Sequence, residues 1–534
     1  MQLSINHLSN IKTTGVILPG KDIFTLPEKV LQFGTGVLLR GLPDYFIDKA
    51  NRQGVFNGRV VVVKSTDSGG ADSFDRQDGL YTLCIRGIEQ GKKVEENMIC
   101  SAISRVLSAK SQWQNILQCA HNPEMQVIVS NTTEVGIQLV EADILPGSGD
   151  ILSGGVGGGG DSLRGGGGNS LAGGGTLWSQ APVSFPGKLL AFLYERYKAF
   201  SGSPESGMVI VPTELIVDNG KKLAAIVKEL AQRSGLDAGF LAWMEKDCRF
   251  CSSLVDRIVP GKPDAATLAA LQQELGYEDE LLSISEVYRL WAIEGDEKVQ
   301  SVLSFARADT GVIIRKDIEI FRELKLRLLN GTHTLSCGLA YLSGFATVKS
   351  AMDNGAFAAF VTDLMLGEIA PAIPYTLPLQ EAQDFGRQVL DRFRNPHIQH
   401  QWISITMQYS SKMKMRNIPV LLQHYKTSDT PPAHLSLGFA AYLLFMRAVK
   451  KEADGYKGHF NGKDYPINDD KAGVYFGLWK EGTPETVVKG ALTDESMWGT
   501  DLTALKGFEA AVRENLVVLF NEGAVAALAR KQGR

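Results

Sequence analysis

Six cysteines among 534 residues are too few to staple a chain of this size. Packing, and not a disulfide framework, must hold the core. No sign of charge predominates: 55 lysine and arginine residues stand against 59 aspartate and glutamate residues, a formal net charge of −4. A general nucleic-acid binder would need a basic excess or a basic patch, so no nucleic-acid partner is expected. No uninterrupted apolar run of about 18 residues occurs, so no membrane span or membrane partner is expected. The start, Met1-Gln2-Leu3-Ser4-Ile5-Asn6, lacks the basic stretch and apolar core of a secretory signal, and a cytoplasmic protein is the expectation. A G-x-S-x-G nucleophile elbow is also missing. Metal ligands are sparse. Cys248-Arg249-Phe250-Cys251 is a single CxxC, and His397 with His400 makes only an HxxH. A zinc site needs four ligands or three plus water, so no metal is expected.

What is present is a 44% hydrophobic, 21% charged composition, sufficient for a large core. At roughly 150 residues per domain the length suggests two to four domains. The first part reads as strand, turn and helix: Val30-Leu31-Gln32-Phe33, then Gly34-Thr35-Gly36, then apolar residues at helical spacing over 37–50. Apolar runs at 59–64, 126–131 and 208–212 read as buried parallel strands, with helices over 111–120, 186–200 and 220–233. That alternation predicts an α/β fold with a Rossmann-like doubly wound sheet. About half of residues 147–175 are glycine, in unbroken runs at 157–160 and 165–168. Glycine is costly to order and buries no side chain, so this reads as a flexible surface insertion without a catalytic role. Beyond residue 316, helical spacing dominates over 317–329, 333–349, 355–366, 379–393, 397–409 and 435–449, and Asn461-Gly462-Lys463-Asp464 reads as a loop. The expected division is therefore a dinucleotide-binding domain over 1–310 and a mostly α-helical substrate and catalytic domain over 311–534.

Three stretches could carry chemistry. In Gln32-Phe33-Gly34-Thr35-Gly36-Val37-Leu38-Leu39-Arg40-Gly41, two glycines after a strand permit a tight turn and close approach to a pyrophosphate, and the following helix offers free N–H groups. The third glycine of the usual fingerprint is replaced by Leu39. The second strand ends in Lys64-Ser65-Thr66-Asp67. Asp67 is the nearest acid for ribose hydroxyls, whereas Lys64 could favour a 2′-phosphate, so these residues leave NAD against NADP open. In Lys325-Leu326-Arg327-Leu328-Leu329-Asn330-Gly331-Thr332-His333, a Lys, an Asn and a His punctuate an apolar stretch. On a straight helix Asn and His would lie about 60° apart and the Lys about 80° beyond the His. If Asn330-Gly331 breaks the helix instead, Asn330 can cap the next one. Either arrangement can converge a lysine acid/base with two hydrogen-bonding groups on a substrate oxygen. The same residues also fit a surface lysine, a cap and a core histidine.

Taken with Gln77-Asp78-Gly79-Leu80-Tyr81-Thr82, Ser130-Asn131-Thr132-Thr133-Glu134, Leu254-Val255-Asp256-Arg257-Ile258-Val259, Leu329-Asn330-Gly331-x-His333 and Arg392-Phe393-Arg394-Asn395-Pro396, the chain resembles the polyol-specific long-chain dehydrogenase family that includes mannitol dehydrogenases. Within it, the pattern is similar to the branch acting on keto-uronates. The resemblance covers nearly the whole chain apart from the glycine-rich insertion. It implies an NAD-dependent hydride transfer to a small sugar-acid substrate without a metal, and it leaves the oligomeric state open. It implies Lys325 as acid/base, with Asn330 and His333 polarising the substrate oxygen. From the motifs themselves, dinucleotide contacts are expected from Phe33, Gly34, Thr35, Gly36, Val37, Leu38 and Arg40, with Ser130, Asn131 and Thr132 near the nicotinamide ribose and Asp67 as the candidate ribose acid. Lys412 falls where the family places a substrate-binding lysine. A uronate carboxylate needs a cation, for which Arg257, Arg394, His400 and Lys412 are candidates, and Asp256 could order Lys325 or a substrate hydroxyl. Mannitol dehydrogenases carry an active-site Asn in a Cys-Asp-Asn stretch, where this chain has Thr213-Glu214-Leu215. Asn219 is the nearest possible substitute.

Overall fold

A computed structural model describes residues 1–65, 71–133, 135–145, 177–453 and 455–532. The glycine-rich insertion and Asp67 lie outside the described residues. The chain divides into two units, one formed by Met1–Arg86 and Glu95–Ile318 and the other by Gly87–Val94 and Glu319–Arg534. The division follows Ile318 and not residue 310, because the strand Val312–Arg315 pairs in parallel with Leu290–Glu294 and so belongs to the first unit.

The first unit is built on six parallel strands: β1 (Glu28–Phe33), β2 (Arg59–Lys64), β3 (Ile103–Ser108), β4 (Val127–Ser130), β5 (Val209–Pro212) and β6 (Arg249–Phe250). Their spatial order is β3-β2-β1-β4-β5-β6, the doubly wound order of a dinucleotide-binding sheet. All six residues of β2 and all four of β4 and of β5 are buried. That is why these runs read as continuously apolar, not alternating. Helices α1 (Val37–Gly41) and α2 (Pro43–Arg52) follow β1, and α3 (Phe185–Ala199) and α4 (Asn219–Arg233) flank the later strands. Ser184 caps α3 through the Gly187 amide at 3.0 Å. Leu189, Phe192, Leu223 and Val227 from α3 and α4 close over Leu31, Val61, Ile128 and Ile210 of the sheet.

The second unit is mostly helical. It opens with α5 (Glu319–Leu324), which runs without a break through a π-helical segment, Lys325–Gly331, into α6 (Thr332–Leu342). Next comes α7 (Leu379–Phe393), whose buried Ala382, Phe385, Val389 and Phe393 recur every three or four residues. The central α8 (Ala433–Phe445) packs against α6 and against α9 (Phe508–Glu522). The stretch Gly355–Ala372 is long and apolar enough to cross a membrane by length and composition alone. Its Phe357, Phe360, Leu364, Met365 and Ile369 are buried in this unit. Its Glu368 accepts the first amides of α8, His434 N and Leu435 N, both at 2.8 Å.

Two expectations are corrected. Residues 397–409 do not form one helix. The chain is extended at Gln401, which bridges Thr347, and the His400 carbonyl accepts the Val348 amide at 2.9 Å. Helix follows only at Trp402–Ile405 and Tyr409–Lys412, separated by Gln408 at φ +52°. The helical unit also contains a three-stranded antiparallel sheet, Lys450–Glu452, Gly455–Phe460 and Lys463–Ile467. Asn461 and Gly462, at φ +48° and +74°, form its two-residue hairpin turn.

Candidate functional site

In the first unit the strand order reverses between β1 and β4, which are neighbours although β2 and β3 lie between them in the chain. Ligands of such sheets bind beyond the strand ends at this point. Gly34 follows β1 at φ +127°, its amide bonded to the Val63 carbonyl at 3.0 Å. A Cβ there would stand 3.1 Å from the Asn131 carbonyl and 3.0 Å from Leu39 Cδ1. Leu39 thus occupies the volume that a third glycine would leave open. Gly36, immediately before α1, is exposed, and a Cβ there would meet nothing within 4 Å. Open space at a glycine before a helix start is the cradle a pyrophosphate needs, so the residues present fit a dinucleotide.

Around it, Thr35, Val37 and Leu38 are half-buried. Phe33 contributes main chain only: its ring is buried 5.0 Å from that of Phe185, and its carbonyl accepts the Asn131 amide at 3.1 Å. Arg40 does not offer its charge to this turn. Its buried guanidinium donates to the Leu281 carbonyl and lies over the rings of Phe74 and Tyr81. The turn 130–132 is held by the buried Glu214. Its carboxylate accepts Thr132 N at 2.8 Å, Thr132 Oγ1 at 2.9 Å and Ser130 Oγ at 3.1 Å. Asn131 Nδ2 donates to Thr213 Oγ1 at 3.0 Å. Glu214 therefore organises this turn.

Asn219 has no capacity left for a substrate. Its fully buried amide donates to the Pro212, Glu214 and Ser253 carbonyls and accepts the Gly220 and Ser253 amides. Arg257 is likewise committed to the fold. It donates to the carbonyls of Glu286 and Gly41, lies 4.5 Å over the Tyr45 ring, and burial brings its pKa down to about 10. Asp256 ends the strand Ser253–Asp256, buried, opposite Leu290.

The second unit gathers Lys325, Asn330 and His333 on one continuous helix. Lys325 and Asn330 are five residues apart, and the i→i+5 bonding of the π segment brings such residues toward one face. A straight α-helix would put them about 140° apart. Asn330 and His333, three apart, are neighbours on a helix surface. Asn330 does not cap a helix. Its carbonyl accepts Thr334 Oγ1 at 2.8 Å and Arg416 Nη1 at 3.4 Å, and Gly331 keeps helical angles. Lys325 and Asn330 are half-buried.

His333 is buried, its ring stacked 4.1 Å from Phe393 and edge-on to His400 and Trp402 at 5.2 and 5.9 Å. Its Nε2 is buried without a hydrogen-bond partner. Burial holds its pKa well below the ordinary value, and His400, Arg392 and Arg416 press it the same way. The ring is therefore neutral at pH 7, with one nitrogen available as donor or acceptor.

The surroundings are cationic. Half-buried Lys412 donates to the Ile405 carbonyl at 3.1 Å; burial lowers its pKa, and so does Arg416. His400 also titrates below its ordinary value, through burial and then Lys412 and Arg392. Arg394, in contrast, stands at the end of α7 beside Asp391, 3.7 Å away. So the structure brings Lys412 and His400 to the His333 neighbourhood and commits Arg257 elsewhere. The sequence reading missed Arg416, although its i, i+4 spacing from Lys412 was visible. It also missed Phe393 and Trp402, whose contact with His333 is tertiary. Among the described residues, no three His, Cys, Asp or Glu side chains gather as a metal site.

Comparison with known proteins bears on both units. Residues 28–305 match the family model described as the mannitol dehydrogenase Rossmann domain, and 317–519 match the mannitol dehydrogenase C-terminal domain. Altronate oxidoreductase of Yersinia enterocolitica is 36% identical over 512 residues, 94% of this chain and 96% of its own. That of Halalkalibacterium halodurans is 34% identical over 509 residues, 93% and 92%. Among solved structures, a substrate-free D-sorbitol dehydrogenase aligns with TM-score 0.71 at 18% identity, over 99% of this chain and 100% of that one. Pseudomonas fluorescens mannitol 2-dehydrogenase, solved as a ternary complex with NAD and D-mannitol, aligns with TM-score 0.58 at 21% identity over all of both chains.

Proposed function

The chain belongs to the mannitol dehydrogenase family, and from that premise we propose that it reduces D-tagaturonate to D-altronate, reversibly, with Lys325 as acid/base. It is an oxidoreductase acting on a secondary alcohol, with NAD as its dinucleotide. The curated relatives named altronate oxidoreductase, matched along nearly their full lengths, support the substrate.

When bound, NAD(H) would supply or accept the hydride. Residues of the first unit would hold it: the open turn at Gly34 and Gly36 would take the pyrophosphate, and the Glu214-braced turn 130–132 the ribose. In the reducing direction, carbonyl carbon gains hydride and carbonyl oxygen gains a proton. Lys325, as ammonium, gives that proton and leaves as the amine, to be reprotonated from water. The Asn330 carboxamide and the neutral His333 ring hold the oxygen as negative charge develops on it. A neutral imidazole suits this task, because it can donate one hydrogen bond without adding a second proton source beside Lys325. The observation carrying the reading is the orphaned, buried His333 Nε2 on the same continuous helix as Lys325 and Asn330.

Lys325→Ala tests it. Turnover should fall roughly 10²- to 10⁴-fold, the usual worth of a positioned acid/base. NADH affinity, read by fluorescence titration, should stay at the wild-type value. A variant that keeps its turnover removes Lys325 from the chemistry.

A further inference from the structure

The second unit contains a half-buried cation with no carboxylate upon it among the described residues. Arg416 lies in the π-helical turn Met413–Asn417. Its Nη1 donates to the Asn330 carbonyl at 3.4 Å and to Thr334 Oγ1 at 3.0 Å, both on the helix that carries Lys325 and His333. Its Nε is buried without a hydrogen-bond partner. Arg40, Arg59 and Arg257 also keep one buried nitrogen without a hydrogen-bond partner, but each lies over an aromatic ring, and two further arginines are held by hydrogen bonds. Arg327 pairs with Glu323 at 3.0 Å and with two main-chain carbonyls. Arg196 donates to the carbonyls of Ser206, Ala120 and Asn122. The group that offsets the burial of Arg416 is the Cys337 thiol, and burial pushes that thiol up to about 12, so it carries no charge at neutral pH.

Holding a half-buried guanidinium beside further cations, with a buried donor unused, is unfavourable until an anion completes it. The committed Nη1 leaves the Nε and Nη2 edge, the fork that takes a carboxylate through two parallel bonds. Lys412, one helical turn earlier, adds a second positive charge. Arg394 faces Asp391, and His400 is held neutral, so neither competes as the counter-charge.

This inference rests on the keto-uronate reading above. We propose that Arg416 anchors the substrate carboxylate and is the residue by which this chain selects a sugar acid over the corresponding neutral ketose.

The test compares kcat/KM for D-tagaturonate and for D-tagatose, which has a hydroxymethyl group in place of the carboxylate. Wild type, Arg416→Gln and Arg416→Lys are measured, with NADH affinity and Tm for each. Arg416→Gln should lose about 10- to 100-fold on tagaturonate, mostly through KM, as expected for a hydrogen-bonded ion pair. Its activity on tagatose should fall much less than its activity on tagaturonate, and its NADH affinity should stay at the wild-type value. Arg416→Lys keeps the charge without the fork and should lose about tenfold, on tagaturonate alone. It decides the matter if the Gln variant does not fold. Equal losses on both substrates, or full preference for tagaturonate in the variants, overturn the role of Arg416 alone. A wild-type preference for tagatose overturns it together with the keto-uronate reading, and the wild-type measurement tells the two failures apart.

Discussion

Charged residues that look alike in the sequence divide here by what surrounds them. Arg40 and Arg257 sit in motif-like stretches and spend their guanidinium groups on carbonyls and aromatic rings. Arg416 also keeps one buried nitrogen without a hydrogen-bond partner, as those two do, but it sits in no such motif and neighbours Lys412 and His333. Asp44 makes the same point for an acid. It is fully buried below the Gly34 turn, where Gln32 Nε2 bonds both its Oδ2, at 3.2 Å, and the Gly34 carbonyl, at 3.3 Å. Burial raises its pKa to about 7, against the opposing pull of Gln32 and Arg40. An unfolded aspartate titrates near 3.9. Between roughly pH 4 and 7 the native state therefore holds a proton that the unfolded chain has lost. The contribution favours folding in acid and disappears as pH rises through about 7. Asp44→Asn removes that titration. It should stabilise the protein by roughly 1–3 kcal/mol at pH 8.5, with the advantage shrinking toward pH 5. Thermal melts of both proteins across that range check this, and parallel pH profiles would contradict it. None of this was legible in the sequence, because burial of a single acid on α2 depends on what the sheet and helices place over it.

Elements were more legible than residues. The buried strands and the turn after β1 were visible as apolar runs and a Gly-x-Gly, because parallel strands covered on both faces must be apolar throughout. The π segment was not. Asn330-Gly331 carries the residue types of a helix stop, and only packing keeps the chain helical through it. The consequence is geometric, since a π turn changes which residues share a face. Residues 397–409 failed for the converse reason: their spacing fits a helix, yet main-chain pairing with 346–348 draws the segment out. At the Gly34-Gly36 turn the two glycines have different duties. Gly34 needs its positive φ, whereas Gly36 sits at φ −62°, which any residue adopts, with open space at its Cβ position. Gly36→Ala should therefore leave the unfolding free energy within about 0.5 kcal/mol of wild type, while NADH affinity falls about tenfold or more as the methyl group occupies the pyrophosphate's approach. Unchanged NADH binding in a folded Gly36→Ala protein would place the dinucleotide elsewhere.

At the scale of the molecule, the chain divides into two units of different construction, one built on a doubly wound sheet and the other mostly helical. Composition and periodicity made that division legible, and the family models match each unit separately. The boundary near residue 318 was less so, because Val312–Arg315 joins a strand whose pairing no local pattern announces. The most direct test of the central claim is NADH oxidation by the full chain with D-tagaturonate, beside D-fructuronate and D-fructose at equal concentration. Turnover of tagaturonate well above both others is the predicted result. Fructose turned over in preference to either uronate would contradict it, leaving the lysine chemistry standing but removing any need for a carboxylate-binding cation.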